Sequence, residues 1–293
     1  MEDTEIQDAL ATLRPLLVVN FLEGDAFKEY TDAIVDEALP SDRLGFVKTT
    51  FGAAVTLAVR ALLCPICWLA PTNVAIDHFA SRVDSRSAMI TANCNEGNQV
   101  GEAPRVYPRF VVHVYHMKHE CTAFQRLVQN PDQGDNAAPS SFFGPPSKWK
   151  LHLSRVHRLL TLFHSPKVRS LNQDDAPVLY HLQQGIDKNL EMADLRALVT
   201  GTIDWETFSS SKGCDIAMKT DGKYLDDVVR RAEILCATPV RSENDKRIKR
   251  FKLHAKGFAV DKAANMTRPS LYCVWGDNLS PLFVVSNVYK RGK

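Results

Sequence analysis

Apolar positions along the chain fall into two rhythms, and each predicts a different kind of element. Ile6, Leu10 and Leu13, then Phe27, Tyr30 and Ile34, recur at helical spacing, so residues 5–38 read as helices leading into a core. "PSDRLGFVKTTFGAAVTLAVRALL" follows with a turn-rich start and a long apolar helix, and "NVAIDHFASRV" predicts an amphipathic helix burying Val74, Phe79 and Val83. The second rhythm is the short unbroken apolar run. "ICWLAPTN" reads as a strand ending at Pro71, and "AEILCAT" (232–238), "GFAVD" (257–261) and "PLFVVSN" (281–287) repeat the pattern. Such runs suit strands covered on both faces. Strand, loop and helix in repetition predict a parallel α/β layer.

Between these runs the character changes. "RFVVHVYHM" alternates like a strand and "ECTAFQRLV" looks helical, whereas residues 130–147 are rich in Pro, Gly, Asn and Ser and read as an exposed loop. Residues 148–231 look mostly helical and polar, with the loop "SSSKGC" among them. The expected organisation is an N-terminal helical segment over 1–40, a core built from 41–84 and 232–293, and an inserted or peripheral region over 85–231.

Composition narrows the class but not the partner. At 45% hydrophobic and 24% charged, the 293 residues have globular composition, and a net charge of +2 gives no global argument for nucleic acid. The acidic start "MEDTEIQDAL" has no signal-peptide core, and seven scattered cysteines read as reduced thiols, so the expected location is intracellular, nuclear or cytoplasmic. Residues 51–70 approach membrane-spanning length, but Arg60 near the middle and the break at Pro65 favour a buried helix followed by a buried strand. No membrane association is expected. The Cys64/Cys67 pair has no second pair for zinc, and on a strand His116 would face away from His113 and His119. Buried thiols and solvent-facing or partner-facing histidines are the preferred readings.

The stretch "LGFVKTT" offers Gly45, Lys48, Thr49 and Thr50 just before a long apolar helix. A phosphate-binding loop of the form GxxxxGK[ST] needs glycines so that N–H groups can wrap phosphate, a lysine for the β and γ phosphates and a hydroxyl for magnesium. Aligning Lys48 and Thr49 with its last pair puts Asp42 and Val47 where glycines belong. "CWLAPTNVAIDHFASRV" is the more specific stretch. It resembles superfamily 1 helicases of the branch containing the nonsense-mediated-decay and replication-nuclease helicases, whose motif reads close to A-P-[ST]-N-x-A-x-D. Ala70, Pro71, Thr72, Asn73, Ala75 and Asp77 match it in order. "GFAVDKAANM" falls where that family has its magnesium motif, usually D-E-A-x-Q, and the likeness extends over most of residues 40–289.

This resemblance implies an α/β fold of the RecA-like P-loop NTPase kind, with a parallel sheet and a helical or irregular insertion. It also implies ATP and Mg2+ as cofactors where activity is retained. Gly45, Lys48, Thr49 and Thr50 would bind ATP, Thr49 and Asp261 would hold the metal, and Pro71, Thr72 and Asn73 would touch DNA or RNA. Lys262 stands in place of the glutamate that deprotonates water, Asn265 in place of glutamine, and Ser286 and Asn287 in place of Gly-Asp. The chain ends at "VYKRGK", so a second lobe with its arginine is expected from a protein partner or from beyond a fragment's end. Three functions remain open on these residues: a helicase-like NTPase with weak or lost hydrolysis, a non-catalytic module binding nucleic acid or protein, and a truncated helicase remnant.

Overall fold

Strands form here where apolar runs can be covered on both sides. β1 (Ile66–Leu69), β2 (Val111–His113), β3 (Ile234–Ala237) and β4 (Gly257–Asp261) are buried at every position, and β5 (Leu282–Val285) follows. The computed structural model describes residues 52–54, 56–57, 64–96, 105–137, 150–172, 174–211, 223–262, 265–275 and 282–285. These strands make one five-stranded sheet in the order β2-β3-β1-β4-β5, and all four pairings are parallel. The chain is therefore a mixed α/β protein with an all-parallel sheet.

Order and handedness together decide which face each helix covers. From β1 the chain moves toward the β2 edge, whereas β2 to β3, β3 to β4 and β4 to β5 all step the opposite way. Because parallel crossovers are right-handed, the first connection and the later ones pack on opposite faces. Side-chain alternation agrees. Trp68, Val111, Ile234, Cys236 and Ala259 join Ile76, Phe79 and Val83 of α1 (Asn73–Asn95) in one cluster. Cys67, Leu69, Val112, Leu235, Phe258 and Val260 face the other side. There they meet α2 (Met117–Gln129), α3 (Arg155–Leu162), α4 (Pro177–Asp187), α5 (Ala193–Val199) and α6 (Trp205–Ser209). A helical stretch over residues 223–231, α8 (Lys246–His254) and α9 (Arg268–Trp275) contribute to the same side, and α7 (Pro239–Asn244) packs against α8 and α9.

Several sequence expectations are refined. Phe79 and Val83 are buried as the periodicity predicts, but Val74 is 48% exposed. Val74 lies five residues before Phe79, which on a helix is a rotation of about 140° from it. The alternating "RFVVHVYHM" forms a strand only over Val111–His113, and His116 already caps α2. Part of the expected loop 130–147 is a 3₁₀ helix over Pro131–Ala137. Within 85–231, β2 belongs to the sheet and the described helices from α2 to α6 share one apolar cluster with residues 232–260. The helices expected over 5–38 lie outside the described residues.

The run 51–70 is divided as its Pro65 suggests. Residues 52–57 are helical where described, with Ala53 packed on the α1 face, and 66–69 form β1. Among the described residues no helix is long and apolar enough to cross a membrane. Cys67 sits fully buried in β1, where burial pushes its thiol up to about 12, and the six described cysteines are free thiols.

Candidate functional site

The connections leaving β1 and β4 diverge, and these strands are neighbours. In open parallel sheets the crevice beyond two such carboxyl ends is where ligands bind. Leu69 pairs with Val260, so Pro71 and Thr72 follow one strand end while Asp261 closes the next and Lys262 follows it. The structure thus brings together two stretches that are far apart in the chain. On the other side of β1, Leu69 pairs with Ala237, which adds Thr238 and the start of α7 to the same edge.

Thr72 is exposed and serves as the N-cap of α1. Its hydroxyl accepts from the Ala75 amide at 3.2 Å, and its carbonyl accepts from Ile76 at 3.1 Å. The cap uses one acceptor lone pair of that hydroxyl and does not use its O–H donor. Pro71 and Asn73 flank it half-buried. α1 is long enough for its dipole to favour an anion at this end, and no acidic residue stands in its first turn.

Asp261 is 6% exposed at the end of β4, and burial raises its carboxyl above the ordinary aspartate value against the opposing pull of Lys262. A lone buried carboxylate next to phosphate oxygens is a donor set that suits magnesium, which keeps several waters and needs one or two carboxylates. Lys262 has φ +54°, a left-handed conformation that costs an L-residue about 1–2 kcal/mol. Its carbonyl accepts from the Asn265 amide at 2.8 Å, closing the turn that follows the strand, and Asn265 is exposed. Gly45, Lys48, Thr49, Thr50, Ser286 and Asn287 lie outside the described residues. Among the described residues no group of three or more His, Cys, Asp or Glu is placed to hold a metal ion.

The sequence left one cluster unnoticed. Asp77, on the face of α1 against β2, accepts from the Tyr115 hydroxyl at 2.7 Å and lies 2.7 Å from His113 Nδ1, all three buried. Burial and the Asp77 charge hold the Tyr115 phenol far above its usual value. Glu120 takes the Tyr115 amide at 2.7 Å and Arg155 Nε at 2.6 Å, and Arg155 also donates to the Tyr115 carbonyl at 3.0 Å. Both Glu120 and Arg155 are fully buried. The chain after β2 is therefore fixed by charge. The signal was present in "HVYHMKHE", whose alternation puts His113 and Tyr115 on one face.

The histidine triplet divides accordingly. His113 is buried against Asp77, while His116 and His119 stack at 4.9 Å beside the carboxyl edge, held below the usual imidazole value by burial and by Arg241. No protein-family model matches the chain, and no curated protein is similar enough to count as a match.

Proposed function

We propose that this chain is a nucleic-acid-binding domain of helicase-like ancestry that binds ATP with weak or lost hydrolysis. The observation that carries the reading is the pairing of β1 with β4, whose diverging ends lead into Thr72 and into the Asp261–Lys262 turn. An exposed capping hydroxyl, the N-terminus of a long helix and a lysine supply donors and positive potential to one crevice, the chemistry that phosphate recognition requires. Asp261 and Thr49 would hold Mg2+, which when bound neutralises phosphate charge. Lys48 would reach the terminal phosphates.

Hydrolysis is a different demand. Lys262 carries no lone pair for an attacking water while it is charged, and Asp261 is the single acid at this strand end. Val47 and Asp42, where the phosphate loop wants glycines, further favour weak nucleotide affinity. A non-catalytic module that holds nucleic acid or protein is the second reading, and Lys262 favours it.

ATPase assays with and without single-stranded oligonucleotide separate the two. Stimulated turnover that disappears in Lys48→Ala supports the NTPase reading. Oligonucleotide affinity insensitive to ATP and to Lys48→Ala but lowered by Thr72→Ala supports the binding module. An absence of both turnover and oligonucleotide affinity contradicts both readings.

A further inference from the structure

β2 leaves the sheet two strands away from β1, and the chain that follows it is aromatic and exposed. In the order β2-β3-β1, at a strand spacing of about 4.8 Å, the two carboxyl ends lie about 10 Å apart on one edge. His113 pairs with Cys236 and Leu69 with Ala237, so the chain entering α7 lies between them. Just past β2, at the start of α2, His116 and His119 are both exposed. Their rings stack with centroids 4.9 Å apart and planes 29° from parallel.

Hydrogen bonding fixes one ring and leaves the other unengaged. His116 Nδ1 accepts from the Lys118 amide at 3.1 Å, which caps α2 and sets the orientation of that imidazole. The His119 ring makes no hydrogen bond among the described residues, and its ring partner is His116. Burial and then the Arg241 charge hold both imidazoles below their usual value, so both rings are neutral at pH 7. Lys118 acts in the same direction, and Asp245 opposes at His116 alone. Among the described residues no third ligand joins the pair to hold a metal ion, and neither Lys118 nor Arg241 forms an ion pair. What remains is an aromatic surface with two cations beside it. That combination binds single-stranded nucleic acid, whose bases stack on rings while Lys and Arg meet its phosphates.

We infer that His119, stacked on His116, is a base-stacking platform for a single strand that crosses this edge from the crevice at Thr72, with Arg241 and Lys118 meeting its phosphates. The inference rests on the nucleic-acid reading above and adds a contact to bases where Thr72 offers one to phosphate. α7, which carries Arg241, starts from β3 between the two ends, so cation and rings lie on the same side of Thr72 along the edge. Every base has a π-face, so the platform accepts any sequence.

Fluorescence anisotropy of the full chain with a labelled single-stranded oligonucleotide, and with an abasic strand of the same length, tests the inference. The parent chain should bind the base-bearing strand at least about fivefold more tightly, the lower end of what one stacked base contributes. His119→Ala should weaken the base-bearing strand by at least about fivefold and leave the abasic strand unchanged; this side chain is exposed, so α2 survives its loss. His119→Phe, which restores a ring without a titratable group, should bind both strands as the parent does. Thr72→Asp should weaken both. Equal binding of the two strands by the parent, an unchanged base-bearing affinity in His119→Ala, or no recovery in His119→Phe overturns this inference alone. Binding of neither strand by the parent overturns the nucleic-acid reading and this inference with it.

Discussion

At the scale of single residues, Lys262 is the position where conformation and chemistry meet. Its left-handed backbone suits glycine, so Lys262→Gly should be neutral or stabilising by up to about 1 kcal/mol, whereas the β-branched Lys262→Val should cost more than about 1 kcal/mol. Urea denaturation of both variants checks the pair; a stabilising valine would show that the turn is relaxed. Lys262→Glu should not raise ATP turnover above that of the parent chain, because Val47 and Asp42 stand where the proposed phosphate loop would need glycines. Measured turnover in that variant would refute the reading. His157 gives a pH signature. Burial, and then Arg158, lower its imidazole from 6.5 to about 4, so between those values the unfolded chain binds more protons than the folded one. Stability should therefore fall as pH drops from about 6.5 to 4. Asp84, whose carboxyl is held below 3.8 by His152 and Arg158 against its burial, contributes stability that is lost only at lower pH. Thermal midpoints across pH 4 to 7 should show a shallower slope in His157→Gln; an unchanged slope would contradict the assignment.

Among elements, α1 and the β2–α2 junction do most to shape the edge. Phe79 stacks on Trp68 with ring planes 8° apart and is fully buried, so Phe79→Ala should cost about 3–5 kcal/mol. Arg155→Ala leaves Glu120 as a buried, unpaired charge, and a loss of about 3–5 kcal/mol is expected in the same denaturation assay. A loss below about 1 kcal/mol would mean that water reaches Glu120. The strands were legible in the sequence because they are unbroken apolar runs; "GFAVD" gave β4 at both ends. The three-residue β2 was overestimated, since alternation continues through Tyr115 although pairing stops at His113. Nothing local shows that the Tyr115 amide goes to a glutamate instead of a strand, because Glu120 and Arg155 act from two different helices.

For the whole molecule, strand order was the quantity least accessible from sequence. Apolar runs announce strands but not their neighbours, and the insertion of β1 between β3 and β4 is what puts the strand ends before Thr72 and Lys262 side by side. The net charge of +2 gave no hint of this, because a sum over 293 residues carries no position. Thr72→Asp isolates the role of that edge. Aspartate keeps the N-cap acceptor, so α1 should lose little or no stability, while a carboxylate replaces the free hydroxyl donor and repels phosphate. Fluorescence anisotropy of a labelled single-stranded oligonucleotide with the full chain and with Thr72→Asp, at matched thermal stability, is the most direct measurement. Binding by the parent chain, weakened at least tenfold in Thr72→Asp, is the predicted result; equal affinity in the two proteins, or none in either, would contradict the assignment of this crevice to nucleic acid.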